Sequence, residues 1–136
     1  MKQFKISLTT TGRGSYNITQ DVQAYVRESN IEIGLCNIFV QHTSASLMLC
    51  ENADPQVRDD LETFMAKIAP DGDPMFLHTD EGPDDMTAHV RTVLTASSLT
   101  IPISNGHCAL GVWQGIYLWE HRTSSFNRNI IITVQS

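Results

Sequence analysis

The feature that most constrains the fold is that the apolar residues change their periodicity several times along the chain. Residues 2–10 alternate apolar and polar side chains, which predicts a strand with one buried face. From Asn17, a predicted N-cap, the apolar side chains recur at helical spacing up to Ser29. A strand followed by an amphipathic helix in a chain of 136 residues is typical of one domain that packs helices on a sheet.

The remaining segments repeat this mixture. Two β-rich runs, Ile33–Val40 and Leu47–Cys50, come before Asp54-Pro55, which predicts a helix start because Asp caps and Pro suits the first helical position. A third helix is predicted from about Asp84, with its apolar stripe buried; the stripe comprises Met86, Val90, Val93 and Leu94. The later predicted strands are Ser98–Ile103, Cys108–Trp113, Ile116–Glu120 and Asn129–Val134.

The order of elements predicts an α+β fold in which residues 1–136 form a single domain, with about three helices packed on a largely antiparallel sheet. Residues 11–15 are predicted to be a loop, and Asn105-Gly106 predicts a hairpin turn.

Charge and composition exclude several classes of partner. Nine Lys and Arg against fifteen Asp and Glu give a net charge of −6, which argues against binding nucleic acid or an anionic membrane surface. No segment approaches the roughly 20 apolar residues of a membrane span. The three widely spaced cysteines are expected to be free thiols, which predicts a cytoplasmic protein.

The segment from His78 to His89 carries a candidate metal site. A loop histidine and a helix histidine separated by a turn can converge on one ion, and imidazole suits zinc and similar metals. Asp85, four residues before His89, shares its helix face and is a candidate co-ligand. The alternative is that Asp85 only caps or decorates the helix and His89 is a surface residue.

A second candidate segment follows the strand that ends near Val40. His42 and the hydroxyl of Ser44 lie where site residues often project, and hydroxyls near a helix N-terminus suit a phosphate. The predicted cap Asp54 competes with a phosphate for the N–H groups at that helix terminus. The alternative for the segment around His42 and Ser44 is a hydrogen-bonded turn.

The last candidates lie towards the C-terminus. Gln114 offers an amide to a ligand or a backbone group, and Arg122 and Arg128 are candidate clamps for phosphate or carboxylate. The alternative for the Trp113-Gln114 pair is that it packs in the protein without binding a ligand. The alternative for the arginines is that they lie in a solvated turn between strands.

Taken together, these segments resemble the YjbQ family, which is associated with a secondary thiamine-phosphate synthase activity. The matching motifs are His42-Thr43-Ser44-Ala45, Glu51-Asn52-Ala53-Asp54-Pro55, Asp85-Met86-Thr87-Ala88-His89 and Leu110-Gly111-Val112-Trp113-Gln114, with His78 ahead of the third. The resemblance implies a homotrimer and a polar site with bound metal. The histidines that match are His42, His78 and His89, and the matching polar residues are Asn52, Asp54, Asp85 and Gln114.

The resulting hypothesis is a metal-dependent enzyme that acts on phosphorylated small molecules, with a divalent ion such as zinc or magnesium. The expected ligands are His42, His78 and His89; the expected catalytic residues are Asp54, Asp85 and Gln114; the expected substrate-binding residues are Ser44, Asn52, Arg122 and Arg128. The alternative is a non-catalytic metabolite- or metal-binding oligomer whose synthase activity is incidental.

Overall fold

Eight strands form two antiparallel sheets, against which three helices pack in a computed structural model that describes residues 1–136. The helices are α1 (Thr19–Ser29), α2 (Pro55–Ile68) and α3 (Asp85–Leu94). The strands are β1 (Lys2–Thr9), β2 (Gly14–Asn17), β3 (Gly34–Val40), β4 (Ala45–Glu51), β5 (Ser98–Ser104), β6 (His107–Cys108), β7 (Gln114–Glu120) and β8 (Asn127–Gln135). One sheet has the order β1-β8-β3-β5-β6 and the other β2-β7-β4. The predicted α+β fold is confirmed.

The core lies between the two sheets and α1. Helix α1 contacts strands of both sheets, and its Val22 and Val26 are fully buried. They join inward-facing residues of the strands in one apolar cluster, of which Ile38, Ile116 and Ile130 are fully buried members. Burial of this apolar surface is the main term that stabilises the fold.

Two predicted helix and strand starts are confirmed in detail. Strand β1 spans Lys2–Thr9 and pairs with β8 so that Ile6 lies opposite Ile130. Helix α2 begins at Pro55, and Asp54 caps it by accepting a hydrogen bond from the Gln56 N–H at 2.9 Å. The apolar alternation and the Asp-Pro cap are local signals, which explains why sequence alone finds them.

Three predicted boundaries are wrong. Residues 14–17 form β2, where a loop and a helix cap were predicted, because they pair with β7. Asn17 therefore lies one residue before the N-cap, although its Oδ1 still accepts from the Thr19 N–H at 3.0 Å. Of the predicted strand Cys108–Trp113, only Cys108 lies in a strand, the two-residue β6. Strand pairing depends on partners far away in the chain, which local patterns do not contain.

The buried stripe predicted for α3 is wrong, because the helix turns its apolar side outward. Val93 is 83% exposed and Leu94 59% exposed. The buried residues of the helix are instead mostly polar or charged, and they are Asp85, Thr87, Ala88, Arg91 and Thr92.

Strand β7 separates two ends of the smaller sheet. Glu120 pairs with Ala45 at one end, and Gln114 pairs with Glu51 at the other. Seven strand residues span roughly 20 Å. Side chains that follow Glu120 and side chains beside Gln114 therefore lie at different ends of this sheet. None of the three helices combines the length and the apolar character that crossing a membrane requires.

Candidate functional site

A histidine–aspartate cluster, formed by His78, Asp85 and His89, lies at the start of α3. One ligand atom from each residue lies within 4.8 Å of the other two. His78 Nε2 is 2.7 Å from Asp85 Oδ2, and His89 Nε2 is 3.4 Å from the same oxygen. The two imidazole rings meet edge to face, with their centroids 5.6 Å apart. The structure thus brings together two of the three histidines predicted as metal ligands, with the predicted co-ligand between them.

Local backbone geometry explains the convergence. Asp85 and His89 lie one helical turn apart and so share a face of α3. His78 is brought back over that face by a turn in which the Gly82 N–H donates to the Thr79 carbonyl at 3.2 Å. Gly82 has a φ of +101°, a left-handed conformation that glycine adopts without steric cost.

Arg122 anchors the acidic start of the helix. Its Nε donates to Asp84 Oδ2 at 2.9 Å, and its Nη1 donates to Asp85 Oδ1 at 3.0 Å. Its Nη2 donates to the Glu81 carbonyl at 2.9 Å, and Asp84 Oδ2 also accepts from the Thr123 N–H. The guanidinium therefore fixes Asp85 through one oxygen, while the other oxygen faces the two histidines.

The two aspartates are held in their charged form. Burial opposes ionisation of Asp84, but hydrogen bonds from Thr123 and Arg122 outweigh it and lower the pKa to about 2. Burial opposes ionisation of Asp85 as well, and the hydrogen bond from His78 together with the charge of Arg122 lowers the pKa of Asp85. A carboxylate at this position carries a negative charge at neutral pH.

The donor set of the cluster decides which metals it suits. The side chain of Asp85 is only 4% exposed, while those of His78 and His89 are 45% and 36% exposed. Two imidazole nitrogens and one carboxylate oxygen match the ligands of zinc, and three protein ligands leave a position for a substrate. Magnesium prefers oxygen ligands alone, so of the two predicted metals the cluster suits zinc better.

His42 lies outside this cluster. Its Nε2 accepts a hydrogen bond from the Asn129 N–H at 2.8 Å, so the neutral ring carries its proton on Nδ1. Burial and the charge of Arg128 lower the pKa of His42, against an opposing effect of Glu120. Within one chain the third predicted ligand is therefore a hydrogen-bonded histidine between β3 and β4.

The predicted phosphate clamps are already occupied. Arg128 is 3% exposed and pairs with Glu120, whose Oε1 accepts from Arg128 Nε at 2.8 Å. Arg128 Nη2 also donates to the Ser44 carbonyl at 3.2 Å, so Ser44 is held through its backbone. Arg122 is bound to Asp84 and Asp85 as described. Neither guanidinium is free to bind a phosphate in this arrangement.

The remaining predicted residues lie at the Gln114 end of β7. Asn52 Nδ2 donates to the Val112 carbonyl at 3.4 Å, and Gln114 Oε1 accepts from the Gly111 N–H at 2.8 Å. Asp54 caps α2. These three residues are not brought to the histidine–aspartate cluster, because β7 separates the two ends of the sheet.

Sequence reasoning missed two features beside the cluster. It did not assign Asp84 as the partner of Arg122, although the acidic pair Asp84-Asp85 at a helix start was a usable signal. It also missed a cavity of about 310 Å³ next to His78, whose lining includes Asp73, Phe76 and Met86. No local pattern marks this cavity, since the loop before α3 forms it by folding back on itself.

Comparison with known sequences identifies relatives over nearly the whole chain. The family described as UPF0047 protein YjbQ-like matches residues 3–136. The UPF0047 protein sll1880 of Synechocystis sp. is 46% identical over 127 residues, covering 93% of this chain and 86% of that protein. The UPF0047 protein YjbQ of Escherichia coli O157:H7 is 39% identical, covering 98% of this chain and 96% of that protein.

Solved structures show the same fold. An uncharacterised conserved protein of the YjbQ/UPF0047 family from Clostridium acetobutylicum has a TM-score of 0.89 at 32% identity, covering 97% of this chain and 99% of that chain. The conserved hypothetical protein TT1486 from Thermus thermophilus has a TM-score of 0.86 at 31% identity, with the same coverage. The chain belongs to the YjbQ/UPF0047 family of uncharacterised conserved proteins, as its motifs predicted.

Proposed function

We propose that this protein is a metal-dependent enzyme that acts on phosphorylated small molecules, with a divalent ion held by His78, Asp85 and His89. The observation that supports this most directly is the convergence of one ligand atom from each of these residues within 4.8 Å. The partial exposure of both imidazoles supports it too, because a substrate can reach the ligand atoms from solvent.

The chain's own residues have distinct roles in this proposal. Asp85 contributes Oδ2 as a ligand, while Arg122 holds Oδ1 and so orients the carboxylate. A divalent ion in this position supplies positive charge beside a phosphate oxygen. Arg122 and Arg128 do not supply that charge, because their guanidinium groups are already paired with carboxylates.

This geometry changes the roles expected for the acids. A carboxylate with a lowered pKa is a weak general base, so Asp85 fits a ligand better than a base. Asp54 lies at the other end of the sheet from the cluster and caps α2. The reaction class we propose is transfer or hydrolysis at a phosphorylated centre, and the family resemblance favours a thiamine-phosphate synthase-like transfer.

A metal titration with matched variants tests the proposal. Protein loaded with Zn²⁺ is assayed for hydrolysis of a phosphomonoester and for thiamine phosphate formation from pyrimidine diphosphate and thiazole phosphate. We expect chelation to abolish turnover. We also expect His89→Ala to weaken zinc binding by more than the roughly 10- to 100-fold that loss of an outer-shell partner costs, because the cluster loses one of three direct ligands. His107→Ala, which removes an exposed histidine on β6, serves as the control and should bind zinc normally.

A non-catalytic metal-binding role is the second candidate. The observation that favours it is that Arg122 forms ion pairs with both Asp84 and Asp85 at the start of α3. Neither carboxylate is therefore free to act as a general base. In that case zinc raises the melting temperature of the wild type and not of His89→Ala, while no turnover is found. Turnover that survives both chelation and His89→Ala would contradict the metal role in either function.

We also propose that the protein self-associates, as the homotrimer implied by the family resemblance. The support is the outward apolar face of α3, defined by Met86, Val90, Val93 and Leu94, which lies beside His89. Apolar faces left open to water are typical of surfaces that bind another protein.

A further inference from the structure

The cavity beside the histidine–aspartate cluster has a defined shape. It is bounded by the segment from Gly72 to Thr79 and by the turn that leads into α3. The Gly72 N–H donates to the Pro83 carbonyl at 2.9 Å, which ties the two segments together. Gly72 has a φ of +67°, a conformation that favours glycine. The cavity is therefore part of the folded loop, with its walls joined by a backbone hydrogen bond.

The size and lining of the cavity suit a flat ring. Its volume of about 310 Å³ lies at the low end of the roughly 300–1,000 Å³ typical of ligand pockets. Phe76, Pro74 and Met86 line it, and they offer an aromatic face, a flat pyrrolidine ring and a flexible thioether. Rings pack well against such side chains through offset or edge-to-face contacts and sulfur contacts.

The charge of the cavity restricts the ring further. Asp73 lines it, and its Oδ1 accepts from the Met75 N–H at 2.9 Å, which leaves Oδ2 for a ligand. None of the lining residues is Lys or Arg. The two nearby arginines are committed elsewhere, Arg13 to Asp71 and Arg122 to Asp84 and Asp85. An anionic group in this cavity would face a carboxylate with no compensating cation.

We propose that this cavity binds the organic half of the substrate, and that this half is a flat ring that is neutral or positively charged. His78 belongs both to the cavity lining and to the histidine–aspartate cluster, so one small molecule can place its phosphate at the cluster and its ring in the cavity. This inference rests on the proposed function for the phosphate end only, since the ring end depends on Asp73, Phe76 and Met86.

Four phosphomonoesters measured by calorimetry on the Zn²⁺-loaded protein test the inference. Methyl phosphate and phenyl phosphate differ by the ring, and 4-(aminomethyl)phenyl phosphate and 4-carboxyphenyl phosphate differ by the charge on it. We expect phenyl phosphate to bind about tenfold more tightly than methyl phosphate. We expect the aminomethyl compound to bind about tenfold more tightly than the carboxyl compound.

Variants assign each preference to a side chain. Asp73→Asn keeps an oxygen for the Met75 N–H and should lower the aminomethyl-to-carboxyl ratio several-fold while leaving the phenyl-to-methyl ratio unchanged. Phe76→Ala should lower the phenyl-to-methyl ratio. Asp80→Asn, which removes an exposed acid of the same loop outside the cavity, should change neither ratio. Equal binding of phenyl and methyl phosphate to the wild type, or an unchanged charge preference in Asp73→Asn, would overturn the inference.

The two ends of the ligand can fail separately. If no phosphomonoester binds the zinc-loaded protein, the proposed phosphate site is wrong, and benzylamine and benzoate then probe the cavity alone by NMR titration. Changes in the NMR chemical shifts of Phe76 and Met86 on adding benzylamine would support the cavity assignment. These changes should be absent with benzoate and weaker in Asp73→Asn. No shift with benzylamine would refute it.

Discussion

Helices α1 and α3 carry similar apolar stripes but turn them in opposite directions. In α1, Val22 and Val26 are fully buried between the two sheets. In α3, Val93 is 83% exposed while Arg91 is only 1% exposed. An amphipathic pattern therefore shows that a helix has two unlike faces, and packing decides which of them meets the rest of the chain.

Charged partners explain why α3 can bury its polar face. Arg91 Nη1 lies 3.0 Å from Glu62 Oε2, and Arg91 Nη2 donates to the Ala69 carbonyl at 3.3 Å. Asp85 is buried against His78 and Arg122. Buried charges are tolerated when they are paired and hydrogen-bonded, and here the pairs join α3 to α2 and to the segment after β7. The same arrangement places the histidine–aspartate cluster at the start of α3.

The largest expected effect is on the buried side of α1. Val22→Asp would place an unpaired carboxylate in the core and should cost more than about 4 kcal/mol, enough to unfold a marginally stable domain. Because that variant can fail to fold, Val22→Ala is measured beside it by urea denaturation and should cost about 2 kcal/mol. A loss below about 0.5 kcal/mol for Val22→Ala would contradict the core assignment of α1.

An intermediate effect is expected at the polar, buried side of α3. The folded state holds the pKa of Asp84 at about 2, below its ordinary value of 3.8. The ionised Asp84 side chain therefore stabilises the folded state above pH 4, and this stabilisation is lost as the pH falls towards 2. The lowered pKa of Asp84 corresponds to about 2 kcal/mol in the free energy of unfolding at neutral pH. Urea denaturation at pH 7, 4 and 3 should show wild type losing this stability in acid, and Asp84→Asn lacking it throughout.

The control for this prediction is Asp80→Asn, which changes an exposed acid in the same loop. It should follow the wild type at every pH. If Asp84→Asn instead matches the wild type at pH 7, the hydrogen bonds from Arg122 and Thr123 contribute nothing measurable to the fold.

The smallest effect on folding is expected at the outward face of α3. Val93→Asp should change the free energy of unfolding of a single chain by less than about 0.5 kcal/mol, because Val93 already faces water. It should instead disrupt self-association. Light scattering is expected to give about three times the 15.2 kDa chain mass for the wild type and a smaller mass for the variant, with an unchanged circular dichroism spectrum.

Either of two results would contradict the difference described between the buried apolar face of α1 and the outward apolar face of α3. Loss of helical structure in Val93→Asp, on the scale of Val22→Asp, would mean that the outward face is needed for the fold of each chain. A wild-type mass equal to that of one chain would remove the proposed homotrimer.

Much of the fold is predictable because its signals are local. The cap at Asp54, the alternation of β1 and the helical spacing of α1 all depend on neighbours within a few residues. Strand β2 escaped prediction because its four residues form a strand only through pairing with β7. Register between distant segments is a tertiary property, and no window of sequence contains it.

The candidate site divides in the same way. The spacing of Asp85 and His89 already placed them on one helix face, and His78 was predicted to join them. Arg122 was predicted as a clamp for phosphate or carboxylate, but Asp84 and Asp85 were not identified as its partners, since a guanidinium binds whichever carboxylates folding brings near it. His42 was grouped with the other histidines by motif. In the folded chain its Nε2 instead accepts a hydrogen bond from the backbone N–H of Asn129 in β8.

The sequence by itself determined the α+β class and the family, and it placed Asp85 and His89 on one helix face, because these depend on short-range periodicity, capping and motif order. Only the tertiary structure decided that α3 exposes its apolar side, that Arg122 pairs with Asp84 and Asp85, and that a cavity lined by Asp73 and Phe76 opens beside His78. The physical reason is that burial, ion pairing and cavity shape are set by which segments meet in space.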